Sequence, residues 1–319
     1  MAGGILQRSI SPGLPKKRII SLLPSCTEIV CALDAADQLV GRSHECDFPP
    51  EVRHLPVCTA PKLNAQATSG EIDRQVKDLL QQAVSIYRIG LEKLKELQPD
   101  LILTQAQCEV CAVSLPEVEQ AVAQWTGDRP QILSLSPNRL ADIWDDIRRV
   151  AEALDVSENG RELLRSLKNR CVNVIEKACV IKRPPSVACI EWLDPLMAAG
   201  NWIPELVELA GGLNLFGESG KHSPWLNWEA IREHDPEVIV VMACGFDLAR
   251  TRAEMPALAR KPDWQKLRAV KSRRVFLTDG NQYFNRPGPR MVESLEILAE
   301  IFHPDRFHFW HKGKAWERS

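Results

Sequence analysis

The chain has 319 residues, with 40 Lys and Arg against 42 Asp and Glu, a formal net charge of −2. That balance leaves no electrostatic footprint for nucleic acid, and the length exceeds what one hydrophobic core usually supports, so two domains are expected. The longest apolar run, 238–246, is too short to cross a bilayer, so no membrane insertion is expected.

In chain order, residues 1–17 read as a disordered segment. They hold no apolar stretch of the kind that directs secretion. The ten cysteines lack the density of a disulfide scaffold, so reduced thiols and a cytoplasmic location are expected. A periplasmic location is the alternative if an export signal lies outside the sequence.

A first α/β lobe is expected over 18–138. Arg18-Ile-Ile-Ser-Leu-Leu reads as a strand, and Pro24-Ser-Cys-Thr-Glu28 opens a helix in which Ser25 and Glu28 form an S-x-x-E capping box. Cys26 falls in the first turn, where the helix dipole lowers a thiol pKa; a small buried cysteine is the commoner alternative. Val40-Gly41 closes a second strand before the loop Arg42-Ser-His-Glu-Cys-Asp-Phe-Pro-Pro50. Residues 62–85 are polar and helix-prone and carry no recognisable chemistry.

The strand at 101–104 then runs into Gln105-Ala-Gln-Cys-Glu-Val-Cys111 ahead of a second capping box, Ser114 with Glu117. Both loops leave strand carboxyl ends, where open sheets bind ligands. His44, Cys46, Cys108 and Cys111 therefore have the donor types for zinc or an iron–sulfur cluster. Thiols that only line a cleft are the other reading of the same residues.

Residues 139–183 read as one long linking helix, with Leu140, Ile143, Ile147, Val150 and Leu154 on one stripe. So stiff a connector implies no large hinge closure. A second α/β lobe is expected over 184–302, with strands at 186–191, 238–242 and 275–277 and helices at 203–209 and 291–302. Trp192, Trp202, Tyr283 and Phe284 fall in its post-strand loops with His222 and Asn285, a set suited to a flat, partly apolar ligand. The tail 303–319 is basic and aromatic, and its His308 and His311 read as solvated.

One phrase occurs twice. Residues 91–105 and 228–242 each start a short amphipathic helix with a glutamate, Glu92 or Glu229. Each follows it with proline and an acid (Pro99-Asp100, Pro236-Glu237) and then a buried apolar strand. Two copies imply two similar lobes with a cleft between them.

These motifs resemble the substrate-binding proteins of vitamin B12, iron-siderophore and haem ABC importers, closest to the cobalamin-binding branch. The likeness covers about 18–302. Its most specific pieces are Ile-Ser-Leu-Leu-Pro-Ser-Cys-Thr-Glu, the Cys-Asp-Phe-Pro-Pro segment, the paired Glu…Pro-acid-strand phrases, Ala-Gly-Gly-Leu-Asn-Leu-Phe at 210–216 and Tyr-Phe-Asn-Arg-Pro-Gly-Pro-Arg at 283–290. It implies an α/β fold of two Rossmann-like lobes, each with a central, mainly parallel sheet, bridged by one long helix. It also implies that Glu92 and Glu229 dock on an ABC permease.

The expected function is binding of a corrinoid or related metal chelate by a monomer, with Ser25, Cys26, His44, Cys46, Cys108, Cys111, Trp192, Trp202, His222, Tyr283, Phe284 and Asn285 around the ligand. Cobalt accepts imidazole or thiolate, so His44 or a cleft cysteine is a candidate axial ligand. A zinc or iron–sulfur protein is the alternative. A thiol-dependent enzyme ranks below both, since no nucleophile triad, P-loop or G-x-G-x-x-G is present.

Overall fold

A computed structural model describes residues 16–81, 86–105, 115–123 and 129–319. The first lobe contains β1 (Ile19–Ser21), α1 (Pro24–Ala32), β2 (Leu39–Arg42), β3 (Thr59–Pro61), α2 (Ser69–Gln81), β4 (Tyr87–Ile89), α3 (Leu91–Leu97), β5 (Leu101–Gln105), α4 (Leu115–Ala123) and β6 (Gln131–Leu135). Its sheet has the order β2-β1-β5-β6, parallel throughout. β3 and β4 pair apart from it as an antiparallel ribbon that α2 connects. Along β1, Ile19 enters one apolar cluster and Ile20 another, because successive side chains leave opposite faces. Burial on both faces explains the near-continuous apolar run at 19–23.

Two helices follow, α5 (Leu140–Ala153) and α6 (Ser157–Ala178), and then the second lobe. It contains β7 (Ser186–Leu193), β8 (Leu196–Ala198), α7 (Ile203–Leu209), β9 (Leu213–Asn214), α8 (Trp228–His234), β10 (Val238–Val241), α9 (Leu248–Glu254), α10 (Pro256–Ala259), α11 (Arg268–Lys271), β11 (Val275–Thr278), α12 (Met291–Phe302) and β12 (Trp316–Arg318). The order is β12-β11-β10-β7-β8, with β9 also on β7. β7, β10 and β11 run parallel; β8 and β12 are antiparallel additions. Val238 and Val240 face the cluster shared with the first lobe, and Ile239 and Val241 face a cluster of the second lobe's own. The shared cluster takes residues from α1, α5, α6, α7 and α12, so one apolar layer runs behind both sheets.

The repeated phrase folds twice into the same shape. α3 and α8 are seven-residue helices with Glu92 and Glu229 in their first turns. Each ends in a left-handed cap, Gln98 (φ 41°, ψ 62°) or Asp235 (φ 41°, ψ 67°), directly before the proline. A residue ahead of proline is barred from the α region, which is why the chain leaves the helix there before entering β5 or β10.

Two expectations are corrected. The connector is not a single rod over 139–183: Asp155 adopts a left-handed conformation (φ 58°) and α6 packs back against α5. Gly160 permits that approach, since a Cβ there would lie 2.6 Å from that of Ala151. α6 alone carries the chain to the second lobe. The tail is not solvated either. β12 extends the sheet, and Glu300 accepts from the backbone N–H groups of Phe309, Trp310 and His311 and from Trp316 Nε1 at 2.9 Å. His311 Nε2 meets Glu296 at 3.1 Å, whereas His308 is exposed.

Trp316 is buried edge-on to Phe276. Trp316→Ala should therefore cost about 3–5 kcal/mol in urea unfolding. A loss under about 1 kcal/mol would show that the tail only rests on the surface.

Candidate functional site

The loops at the carboxyl ends of β1, β2 and β11 meet where the lobes join. Glu28 on α1 is buried, and its carboxylate takes Arg290 Nε at 2.9 Å, Arg290 Nη2 at 2.5 Å and Arg286 Nη1 at 3.1 Å. Arg286 Nη1 also donates to Asp47 Oδ1 at 2.6 Å, and Asn281 and Gln282 donate to Asp47 Oδ2. Arg290 donates to Gln282 and lies 3.9 Å over the Phe48 ring. Both guanidiniums come from the second lobe and both carboxylates from the first. Burial opposes ionisation of Asp47, but the Arg286 contact outweighs it and holds the carboxyl below its ordinary range.

Beside this cluster lies a cavity of about 70 Å³. Gln105 lines it from the first lobe; Glu191, Asn201, Trp202, His222 and Asn285 are among its second-lobe walls. Trp202 Nε1 donates to the Phe284 carbonyl at 2.8 Å, and Asn285 Nδ2 donates to the carbonyls of Met242 and Gly280. Ser223 Oγ donates to Glu191 at 2.8 Å and accepts from Gly200 N. A side chain at position 200 would strike the 221–223 backbone, so this wall requires glycine.

A second bridge between the lobes is α2. Ser69 donates to Glu254 through its N–H and its hydroxyl, Arg250 Nη2 donates to the Ala67 carbonyl at 2.7 Å, and Lys77 Nζ lies 5.6 Å over the Trp225 ring. Ile72 packs on the second lobe's own apolar cluster. Residues 62–81, which carry no legible chemistry in the sequence, thus form a strap across the junction.

Of the expected site residues, Trp202, His222, Phe284 and Asn285 are brought together at the cavity. Phe284 is fully buried and Trp202 nearly so, so each contributes only an edge or backbone atoms. Trp192 lies in β7 rather than a loop, packed 5.2 Å from Phe246, and Tyr283 stands by Arg290 and His311. Ser25 is buried within α1, whose N-cap is Leu23, so the first capping box does not form and Glu28 meets the arginines instead. Cys26 and Cys46 are fully buried. Burial pushes the Cys26 thiol well above its ordinary range and that of Cys46 up to about 12, with Thr27 Oγ1 donating to Cys46 Sγ at 3.0 Å.

Those two thiols face the first lobe's interior. They cannot serve as ligands there, and no cluster of three or more metal-ligating side chains exists among the described residues. Cys108, Cys111 and Ser114 lie outside the described residues. Glu92 and Glu229 are both exposed. Sequence reasoning missed Asp47, Arg286 and Arg290; the available signal was a pair of arginines spaced by four in a Pro/Gly loop.

Two α/β lobes pinned at a shared junction, with strand carboxyl ends converging on a cavity, define a binding protein of class III periplasmic architecture. Residues 19–282 match the periplasmic binding protein family, and the chain belongs to it. That family comprises substrate-binding proteins of ABC importers rather than enzymes, which take small chelates to a permease.

Among similar proteins are the ABC transporter substrate-binding lipoprotein YvrC of Bacillus subtilis, 24% identical over 91% of this chain and 81% of that protein, and a vitamin B12-binding protein of Photorhabdus laumondii, 23% identical over 89% and 86%. Among solved structures, the periplasmic vitamin B12-binding protein BtuF of Vibrio cholerae superposes with a TM-score of 0.64 at 23% identity, over 90% of this chain and 97% of that one. The periplasmic heme-binding protein RhuT of Roseiflexus gives 0.67 at 23%, over 91% and 99%. At these identities the structural likeness shows the fold alone. The cytoplasmic expectation is corrected: relatives named as a lipoprotein and as periplasmic proteins point to a periplasmic or extracellular place. No helix among the described residues is long and apolar enough to cross a membrane.

Glu28→Gln leaves the buried Arg290 guanidinium with only neutral partners and Arg286 with Asp47 alone, and should cost about 3–5 kcal/mol in chemical unfolding; a cost below about 1 kcal/mol would show that the cluster does not hold the junction. Glu45 supplies a pH signature. Desolvation raises its carboxyl to about 7, against the opposing Tyr87 hydrogen bond and Arg286. A folded-state pKa above the unfolded one makes its contribution complete at low pH and progressively lost as pH rises from about 4.5 to about 7. Glu45→Gln should flatten that decline in stability; an unchanged slope would contradict it.

Proposed function

We propose that this chain captures a corrinoid between its two lobes and presents it to an ABC permease through Glu92 and Glu229. The observation that supports a corrinoid most directly is the chemistry of the cavity wall. Its described lining includes the amides of Gln105, Asn201 and Asn285, the carboxylate of Glu191 and the imidazole of His222, with no Lys or Arg. A corrinoid rim carries neutral amides, which pair with amide and carboxylate groups, whereas the propionates of haem call for cations. Relatives named as vitamin B12-binding proteins support the same ligand class.

At about 70 Å³ the cavity is below the roughly 300–1,000 Å³ of small-molecule sites, so binding requires part of the wall to move. The lobes are held by buried ion pairs. α2, which does not line the cavity, bridges the lobes through hydrogen bonds, one cation–π contact and the packing of Ile72, and on this reading it is the bridge that yields.

Titration followed by calorimetry should show cyanocobalamin binding one-to-one and more tightly than haemin. Tighter binding of haemin, or none of cyanocobalamin, would overturn the reading. Glu254→Ala, which removes the anchor of Ser69, should raise the cyanocobalamin association rate several-fold in stopped flow; an unchanged rate would exclude α2 as the gate. Charge reversal at Glu92 and Glu229 together should leave cyanocobalamin affinity intact and abolish uptake in cells carrying the cognate importer. Uptake at the parental rate would remove both glutamates from docking.

A further inference from the structure

The likeness between the two repeated phrases begins before their glutamates. Gly90 and Asn227 are the N-caps of α3 and α8. Two residues ahead of each, the chain is paired antiparallel to a neighbouring segment, Arg88 opposite Ala60 in β3 and Trp225 opposite Met197 in β8. Leu94 and Ile231 are buried at the same place, two residues after Glu92 and Glu229. Arg88 and Trp225 therefore hold equivalent positions, four residues before the two glutamates.

What stands at those positions differs. On the first lobe Tyr87 turns inward, its ring centroid 5.6 Å from that of His44, while Arg88 is exposed. His44 is enclosed behind the β3–β4 ribbon and is absent from the described lining of the cavity. On the second lobe Leu226 and Trp228 pack into the lobe's own cluster, whereas Trp225 is 61% exposed. The shared fold does not require an aromatic there, since Arg88 occupies the counterpart.

Trp225 is also held firmly. The Ala198 N–H donates to the Pro224 carbonyl at 3.0 Å and the Leu226 N–H to the Leu196 carbonyl at 2.8 Å, so both flanks are pinned to β8. Lys77 Nζ lies 5.6 Å over the ring from α2. Three residues of chain, at most about 10 Å, separate Trp225 from the first turn of α8 and Glu229. A tryptophan fixed in place, left in water and continuous with a docking group has the chemistry of an interface anchor.

We propose that Trp225 is a docking residue for the ABC permease, entering an apolar recess beside the cationic pocket that receives Glu229. Arg88 meets an acidic or carbonyl-bearing surface beside the pocket for Glu92. The inference rests on the docking reading above and adds direction to it. Two acids at equivalent positions make the docking face self-similar; an aromatic beside one and a cation beside the other let each lobe fit one side of the permease and reject the other.

The test measures binding of the full chain to the cognate importer in lipid nanodiscs by surface plasmon resonance, with folding of each variant checked by circular dichroism. Trp225→Ala should weaken binding by at least about tenfold, and Trp225→Phe by less. Trp225→Arg, which copies the first lobe, should lose as much as Trp225→Ala. Lys77→Ala, which removes the contact from α2 and leaves the ring, should bind the importer as the parent does. If Trp225→Ala binds at parental strength while charge reversal at Glu92 and Glu229 abolishes binding, the Trp225 assignment falls and the docking reading stands. A loss in Lys77→Ala equal to that in Trp225→Ala shows that the ring acts only by holding α2, and overturns the assignment as well. Parental binding by both Trp225→Ala and the charge-reversed protein overturns both readings.

Discussion

Two arginines on one loop of the second lobe are inserted against two carboxylates of the first, and the relation between the lobes depends on that contact. Arg286 and Arg290 are both buried, as is Glu28, and a guanidinium removed from water is tolerable only with charge and hydrogen-bond partners in good geometry. Glu28 answers both, and Asp47 completes Arg286. Pulling the lobes apart would expose these charges singly, and closing them further would break the bidentate geometry. The junction therefore has one favoured setting, and the loops at the ends of β1, β2 and β11 are brought to the same place.

The rest of the architecture reinforces that setting. A common apolar layer of α1, α5, α6, α7 and α12 lies behind both sheets, so the lobes share a core as well as an ion cluster. α3 and α8 repeat each other to within a few degrees at their left-handed caps and carry Glu92 and Glu229 at equivalent positions. The other bridge between the lobes, α2, is tied to Glu254 and Trp225 by individually weak contacts and by the packing of Ile72, with Arg250 holding the Ala67 carbonyl ahead of it. A rigid frame with one yielding strap suits a protein that must hold a chelate and then release it to a partner.

Much of this was legible in the chain. Local pattern carried the strands at 19–21, 101–105, 238–241 and 275–278, the helices at 203–209 and 291–302, and the two-lobe fold implied by the repeat, because burial on both faces and proline punctuation leave direct marks. What failed depended on pairing across distance. Ser25 and Glu28 have the spacing of a capping box, but a carboxylate facing two buried guanidiniums gains more than one reaching a helix N–H. Cys26 and Cys46 stand in loop-like and helix-start positions, yet their side chains turn into the core. His308 and His311 read as solvated because the partners of the tail, Glu296 and Glu300, lie on a helix distant in pattern from it; His308 is indeed exposed, whereas His311 meets Glu296. The break at Asp155 left no glycine or proline to announce it. Location was not legible in these residues; relatives named as a lipoprotein and as periplasmic proteins point to a periplasmic or extracellular place instead of a cytoplasmic one.

If the ion cluster fixes the lobes, breaking it should loosen them even with no ligand bound. Small-angle X-ray scattering of the wild-type protein and of an Arg286→Met/Arg290→Met variant, both shown to be folded by circular dichroism, measures this directly. A larger radius of gyration and a broadened pair-distance distribution in the variant is the predicted result. Superimposable scattering curves would show that the shared apolar layer alone sets the geometry, and would contradict a lobe-fixing role for Glu28, Asp47, Arg286 and Arg290.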